Sequence, residues 1–451
     1  MSAACTSDER TAARSGDVAT ATLVPAQAAS TLKTPLAAPS AANPPEGRAY
    51  LRLVVVLGLL IAIGPLTIDM YLPALPALSE ELGASQSQAQ FTLTGIMIGL
   101  GLGQLVLGPL SDAIGRRKVL LSGLLVHASM SVLCALAPSI GVLTGVRIGQ
   151  GVAGAAISVV AMAVVRDLYR GRKAAGLLSH LTLVLGAAPI LAPTIGGYLL
   201  ALTNWRGIFV VLFVVALLLS VLAFVGLPET LPRERRRPLA LGSTLVTYGG
   251  LLRDRPFVGL VLVAGLMFSV LFTYVSGSSF VFQEFYGLDE QQFGLVFGMN
   301  AAGLIAATQV NPFLLRRFSP QQVLSGALVA GVVGTSSLLV AALVQAPLWV
   351  LLIPLAATVA SCGLSFPNSP ALALSRHGES AGTAAALLGA MQFGMSGLIT
   401  PLEGVLGGTG AVPMASLMAG LQVLAVLALV VLVRPWSLGP VDVDDDHVVA
   451  H

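Results

Sequence analysis

The sequence predicts an all-α membrane protein with about twelve transmembrane helices arranged as two six-helix bundles, and three observations carry that reading. First, a chain of 451 residues that is 55% hydrophobic and only 10% charged has too little polar surface to cover a water-soluble fold of its size. Second, mostly apolar segments of about 18 or more residues recur near 51 to 72, 88 to 109, 119 to 138, 141 to 164, 176 to 201, 206 to 227, 256 to 279, 292 to 312, 322 to 343, 347 to 368, 380 to 403 and 411 to 433. Third, Lys and Arg occupy every second gap. Of the 24, all but Arg147 and Arg206 lie at the two ends of the chain or in the even-numbered loops (Arg116, Arg117, Lys118; Arg166, Arg170, Arg172, Lys173; Arg233, Arg235, Arg236, Arg237, Arg253, Arg255; Arg316, Arg317; Arg376). Cytoplasmic loops retain positive charge, so both termini and the even loops are expected in the cytosol, with the chain a multi-pass protein of the cell membrane. A soluble bundle of long buried helices would show no such alternation.

The formal net charge of +3 is too small to suggest nucleic acid as a partner. Cys5, Cys134 and Cys362 have no spacing for a disulfide framework or a zinc site and are read as free thiols. No metal and no cofactor is expected.

Residues 1–50 are rich in Ala, Ser, Thr and Pro and lack an apolar run for a signal peptide, so they read as a disordered cytosolic tail before an uncleaved first span. A start codon further along the chain explains that composition equally well. The first bundle is expected over 51–227. Its opening span ends Pro65-Leu-Thr-Ile-Asp69-Met-Tyr71-Leu-Pro73-Ala-Leu-Pro76, where Asp69 is the only acid. Counted from Arg52 it lies roughly 26 Å along the helix, in the outer third of the membrane core. An interfacial Asp capping the outer loop is the competing reading.

After the second span comes Gly108-Pro-Leu-Ser-Asp112-Ala-Ile-Gly115-Arg-Arg117-Lys118. The glycines allow a tight turn and Asp112 can accept hydrogen bonds from a helix end or a basic side chain, although Lys and Arg alone would serve as a topogenic turn. In the fourth span Arg147 stands among Gly145, Gly149, Gly151 and Gly154, roughly 9 Å deep. A guanidinium there needs a partner inside the bundle or snorkels to the surface. Asp69 and Arg147 share a depth, and the expectation is that they pair when Asp69 is charged. The fifth span carries Gly186, Pro189, Ala192, Pro193, Gly196 and Gly197, which suit a hinge or simply a proline-kinked packing helix.

The longest interior break, 228–255, is basic and separates six spans from six; a short surface helix over Ser243 to Asp254 and a plain linker are both open. The second bundle is expected over 256–433. Asn311-Pro-Phe-Leu-Leu-Arg316-Arg317 follows its second span as the Gly108 stretch follows that of the first, retaining only the Pro and the basic pair. Met267, Phe268, Phe272 and Tyr274 suit either ordinary packing, the more frequent role of such residues, or an adaptable apolar wall, with Asn300 and Gln392 as polar contacts to a substrate or between helices. Glu403 sits at the outer edge of its span, where a second carboxylate of the mechanism is one reading and a solvated residue, favoured by that edge position, is the other. Residues 434–451 read as an acidic cytosolic tail.

These motifs resemble the major facilitator superfamily over 51 to 433, most closely the proton-linked drug exporters of the bicyclomycin and chloramphenicol resistance type. The resemblance implies a central cavity between two bundles and a small-molecule substrate exchanged against protons, with the lipid bilayer as the other partner and a monomer as the working unit. It implies a conformational lock at Gly108, Asp112, Gly115, Arg117 and Lys118, from which the chain departs at Ala113, where the family usually has a basic residue. It implies an antiporter hinge at Pro189, Pro193, Gly196 and Gly197, proton coupling through Asp69 and Arg147, and substrate contact at Asp69, Tyr71, Phe272, Asn300 and Gln392. The function expected is a proton-coupled antiporter exporting small amphipathic or antibiotic-like molecules; a solute importer of the same fold is the alternative. No phosphate-cradling G-x-x-x-x-G-K-[ST] stretch and no H-E-x-x-H motif occurs, which argues against an ATP-driven pump and a membrane enzyme.

Overall fold

The computed structural model describes residues 47–169, 171–236, 241–375, 377, 381–407 and 410–434. The tail readings for 1–46 and 435–451, Cys5, Arg170, Arg237 and Arg376 lie outside them. Among the described residues the regular structure is all helical, with 12 helices long and apolar enough to cross a membrane. They are α1 (Arg48–Glu81), α2 (Gln86–Ile114), α3 (Arg116–Ala135), α4 (Ile140–Leu168), α5 (Gly176–Leu202), α6 (Trp205–Gly226), α7 (Arg255–Phe285), α8 (Glu290–Leu314), α9 (Pro320–Leu343), α10 (Leu348–Ser375), α11 (Gly382–Leu406) and α12 (Val412–Val433). The end of the molecule with the even-numbered loops is called the basic face, and the opposite end the far face. Between α6 and α7 a short helix, Leu241–Leu251, forms despite Gly249 and Gly250, so the segment is not a plain linker.

Helix starts follow local chemistry. Ser85 with Gln88, Asp289 with Gln292 and Ser319 with Gln322 form capping boxes that open α2, α8 and α9. Glycines then decide which spans approach closely. On α2, Gly99 stands so close to α4 that an added Cβ would lie 2.9 Å from the Cα of Gly151, and Gly95 and Gly103 touch the same helix. α2 and α11 pack along a second small-residue seam, where a Cβ on Gly101 would meet the Ala390 carbonyl at 3.1 Å and one on Gly397 the Met97 side chain at 3.0 Å. A third joins α5 to α8, with Gly294 against Thr194 and Gly298 against the Ile190 carbonyl. The last two seams connect the first six spans to the last six.

Prolines inside spans leave the carbonyl four residues earlier without its N–H, and neighbouring helices supply the missing donor. Pro401 frees the Gly397 carbonyl, which accepts from Thr94 Oγ1 of α2 at 2.8 Å. Pro76 removes the i+4 donor of the Leu72 carbonyl, which accepts from the Leu75 N–H in the 3-10 turn and from Ser279 Oγ of α7. Pro367 frees the Gly363 carbonyl for Thr308 Oγ1 of α8 at 3.1 Å, while at the end of α6 the terminal carbonyl of Phe224 accepts from Arg117 Nη2 at 2.6 Å.

The two exceptions to the charge alternation each have a cause. Arg206, at the far face, forms an ion pair with Glu81 at the end of α1 and lies over the Trp205 ring, while Trp205 Nε1 donates to Glu81 at 2.7 Å. Arg147 is fully buried. Cys134 and Cys362 are free and buried.

Candidate functional site

The first span is broken. Its α-helix runs from Arg48 to Asp69, gives way to a 3-10 turn at Leu72–Ala74, and resumes as Leu75–Glu81. Pro73 has no N–H to offer the Asp69 carbonyl and Pro76 none for Leu72, so the break is written into the sequence. Twelve residues follow Asp69 before the span ends, about 18 Å of helical rise, so Asp69 is deeper than its place near the end of the predicted 51–72 segment suggests.

Asp69 is buried, with 7% of its surface exposed, and among the described residues its carboxyl group has neither a hydrogen bond nor an ion pair. It lies within electrostatic reach of Tyr274 on α7. Tyr274 is buried with its hydroxyl unpartnered, stacks on Phe297 of α8 at 5.3 Å, and stands beside Asn300, whose Nδ2 donates to the Val296 carbonyl at 3.1 Å. The 3-10 turn of α1 packs against both α7 and α8. The break therefore brings an unpaired acid from the first six spans against a tyrosine and an asparagine from the last six. Next along α7, Phe272 packs on Phe268 at 4.7 Å, and Phe268 meets Phe366 of α10 at 5.8 Å and Phe393 of α11 at 5.1 Å. Gln392, beside Phe393, is half-buried.

Arg147 takes another course. Its Nη1 donates to the Thr67 carbonyl at 3.1 Å and to Gln150 Oε1 at 2.9 Å, and its guanidinium lies over the rings of Tyr71 (4.8 Å) and Phe209 (5.6 Å). Thr67 is among the last residues before the helix breaks, where carbonyls lack intrahelical donors. Gln150 Nε2 donates to Ser131 Oγ at 2.9 Å, and Thr67 Oγ1 meets His127 Nε2 at 3.0 Å. Among the described residues no carboxylate forms an ion pair with Arg147, so the expected Asp69–Arg147 pair is not made. The common depth was right, since Arg147 reaches the backbone two residues from Asp69. The rotation was not: two residues turn a helix by about 200°, which puts Asp69 on the opposite side of α1 from Tyr71. Tyr71 is correspondingly absorbed by the protein, fully buried, with its hydroxyl 3.1 Å from Thr92 Oγ1 and its ring under the guanidinium. It presents nothing to a substrate in this conformation.

Glu403 overturns a second expectation. It is 2% exposed rather than solvated, because α11 continues past the break at Pro401 as a short helix, Leu402–Leu406. Gln90 Nε2 of α2 donates to its Oε2 at 3.2 Å and Ser276 Oγ of α7 at 3.4 Å, while Gly277 leaves the room its carboxyl occupies.

At the basic face the group that organises the loop is Arg116. It pairs with Asp112 at 2.5 Å and with Asp167 of α4 at 3.2 Å, while its backbone N–H donates to Glu229 Oε1 at 2.9 Å. Glu229 also pairs with Arg236 at 3.6 Å, and Thr230 Oγ1 donates to Asp167. Gly115 is required here: its φ of 106° is open to glycine, and a side chain would meet Glu229 and Arg236. Arg117 turns to the Phe224 carbonyl and ring, Lys118 is exposed, and Gly108 makes only ordinary contact with Val159. Among the described residues these partners belong to the first six spans and to the segment that follows α6. On α5, Gly196 admits the Met70 carbonyl and Pro73 of α1, Gly197 admits Glu290 at the start of α8, and Pro193 and Pro189 precede them on the same seam.

A Major Facilitator Superfamily model matches residues 57–401. The chain is 38% identical over 390 residues to "Uncharacterized MFS-type transporter YdgK" of Bacillus subtilis, covering 85% of this chain and 96% of that one. It is 33% identical to "Bicyclomycin resistance protein homolog" of Haemophilus influenzae, covering 83% and 94%. Against "Multidrug resistance protein MdtL" of Klebsiella pneumoniae it is 28% identical over 83% and 94%. Among solved structures it resembles the nucleoside transporter NupG, at TM-score 0.69 and 14% identity over 85% of this chain and 99% of that one. The D-xylose-proton symporter follows at TM-score 0.67 and 19% identity, over 87% and 98%. Twelve spans, glycine-built seams between the first six and the last six, and a family match over most of their length lead to one conclusion: the chain is a multi-pass membrane transporter that belongs to the Major Facilitator Superfamily.

Proposed function

We propose that this transporter is a proton-coupled antiporter of the cell membrane that expels small amphipathic or antibiotic-like molecules from the cytosol, with its basic face and both termini cytosolic. The observation that carries the reading is Asp69. An acid without a counter-charge at the break of α1 is costly to keep ionised in hydrocarbon, so it binds a proton readily and yields it when water, cargo or a rearranged helix replaces its surroundings. Tyr274 and Asn300 supply polar contacts on the opposite side of the same space, and the Phe268, Phe272, Phe366 and Phe393 cluster supplies apolar surface. Arg147 acts as a positioning residue: it holds the broken turn through the Thr67 carbonyl. The bicyclomycin and multidrug resistance names of two relatives support outward transport of drugs.

Among the described residues, hydrogen bonds between the first six and the last six spans gather toward the far face, at Leu72–Ser279, Pro73–Gln283, Gly397–Thr94, Glu403–Gln90 and Gly294–Thr194. That favours a conformation closed outside, with the Asp112 to Lys118 stretch engaged across the cytosolic side only in the opposite conformation and the Pro189 to Gly197 stretch of α5 as the hinge. In a pump-deficient host, expression is expected to raise resistance to chloramphenicol or bicyclomycin, a protonophore to cancel the gain, and Asp69→Asn to abolish it. Full resistance in Asp69→Asn removes this acid from the mechanism, and increased drug accumulation on expression replaces export with import.

A further inference from the structure

We propose that Glu403 is a proton-binding site in the far-face seam, separate from Asp69, and that the proton it holds keeps the seam shut. This rests on the antiporter reading only for the direction of the cycle; the site itself follows from the packing. Glu403 is 2% exposed, and among the described residues it forms no ion pair. α2 offers it Gln90, and α7 offers Ser276 and Gly277. The titratable groups of α7 near that end are Tyr274 and Glu284, neither of which bonds to it, and α12, packed on the Leu402–Leu406 helix, has none in Val412–Val433. An ionised carboxylate in such a place is strongly disfavoured, because burial removes its hydration and no counter-charge replaces it.

The seam also carries an independent sign of the proton. Gln90 is fully buried and donates Nε2–H to Glu403 Oε2, yet its own Oε1 is an acceptor with no partner. A carboxylate has no hydrogen to give it. A carboxylic acid has one, and acid and amide then close a cyclic pair, N–H to C=O and O–H to Oε1. The proton thus changes the seam from one buried charge and one orphaned acceptor into two satisfied neutral groups. When the far face opens, water reaches the acid, the O–H bond ionises, and the charge opposes reclosure until a proton returns from the same side. The proton enters and leaves by one face, so Glu403 gates the cycle and adds nothing to the number of protons carried per cargo.

The test uses the full chain in lipid nanodiscs with Cys5→Ser and spin labels at Glu80→Cys and Leu406→Cys, both exposed far-face positions on α1 and α11. Pulsed electron–electron distances in this background are expected to move from short to long as pH rises from about 5.5 to 8.5. Glu403→Gln, a permanent neutral mimic, is expected to stay short throughout, and Gln90→Leu to shift the midpoint to lower pH by destabilising the acid–amide pair. Asp69→Asn is expected to keep the pH response while losing export, so failure of the antiporter reading and failure of this one give different results. An unchanged pH response in Glu403→Gln, or a pH response that disappears in Asp69→Asn alone, overturns the proposal.

Discussion

The two ends of the bundle are held by different chemistry. At the far face, neutral donors from one half of the chain reach backbone carbonyls of the other: Thr94 to Gly397, Ser279 to Leu72, Gln283 to Pro73. At the basic face, Arg116, Asp112 and Asp167 of the first six spans form an ionic cluster with Glu229 and Arg236 of the segment that follows α6. Neutral bonds to backbone carbonyls cost little to desolvate and break one at a time, which suits a contact that must open. Charged groups sharing one guanidinium fail together when a member is lost. The far face is therefore read as a seam and the basic face as a brace.

The largest effect expected from this contrast is at Arg116. Its side chain is 11% exposed against 15% for Asp167, so Arg116→Ala strands a mostly buried carboxylate. A loss on the order of 3 kcal/mol is expected. Thermal unfolding of the detergent-solubilised protein should show a clearly lowered melting temperature. Arg116→Lys should recover only part, because one ammonium cannot reproduce the guanidinium fork that spans Ser111, Asp112 and Asp167. A melting temperature unchanged in Arg116→Ala would refute the brace.

How far the sequence reveals these features depends on which coordinate is asked for. Depth is legible, because residues per ångström of helix is a constant: Arg147 does reach the backbone at Thr67, close to the level of Asp69. Rotation about the helix is not, because the break between Asp69 and Leu72 and the glycines of α2 and α4 set which side turns inward, and these are three-dimensional contacts. That is why the shared depth of Asp69 and Arg147 predicts a pair that this conformation does not make, and why Tyr71, a substrate contact that the resemblance implies, is turned into the protein instead. Glu403 was misread for a related reason. Its apolar segment ends near it, but Pro401 only interrupts the helix, and the continuation folds the acid under α2 and α7. A hint lay in Gly277 and Gly404, small residues that leave space for the carboxyl and for Ser87. Among three consecutive basic residues, the φ of 106° at Gly115 selects Arg116 as the one that points inward, and residue type alone does not distinguish it from Arg117.

The seam is tested next, with a smaller expected effect. Thr94→Val removes the hydroxyl and leaves the Gly397 carbonyl buried without a donor, at a cost of about 1–3 kcal/mol that falls only on the closed state. The far-face distance distribution should shift toward open by roughly tenfold or more, since about 1.4 kcal/mol is tenfold in an equilibrium. Pro401→Ala restores the N–H that the proline removed, so Thr94→Val should have much less effect in that background. Thr308→Val makes the comparison sharp. It strands the Gly363 carbonyl in the same way, but α8 and α10 both belong to the last six spans, so it should lower stability and leave the open-to-closed ratio alone. A shifted ratio in Thr308→Val would show that loss of a hydroxyl anywhere, rather than loss at the seam, drives opening.

The smallest effect belongs to Lys118. It is exposed, whereas its neighbour Arg117 donates to the Phe224 carbonyl and lies over the Phe224 ring at 4.8 Å. Lys118→Ala should change stability by no more than about 0.5 kcal/mol. Arg116 and Arg117 still mark the loop as positive, so the orientation of the chain should also hold. If the Asp112 to Lys118 stretch engages the other half once the far face is open, the variant should slow transport turnover by a measurable factor while its melting temperature stays at the wild-type value. Turnover and melting temperature falling together would instead place Lys118 in the brace of the conformation described, against its exposure; neither moving would confine this end's role to the ion pairs around Arg116.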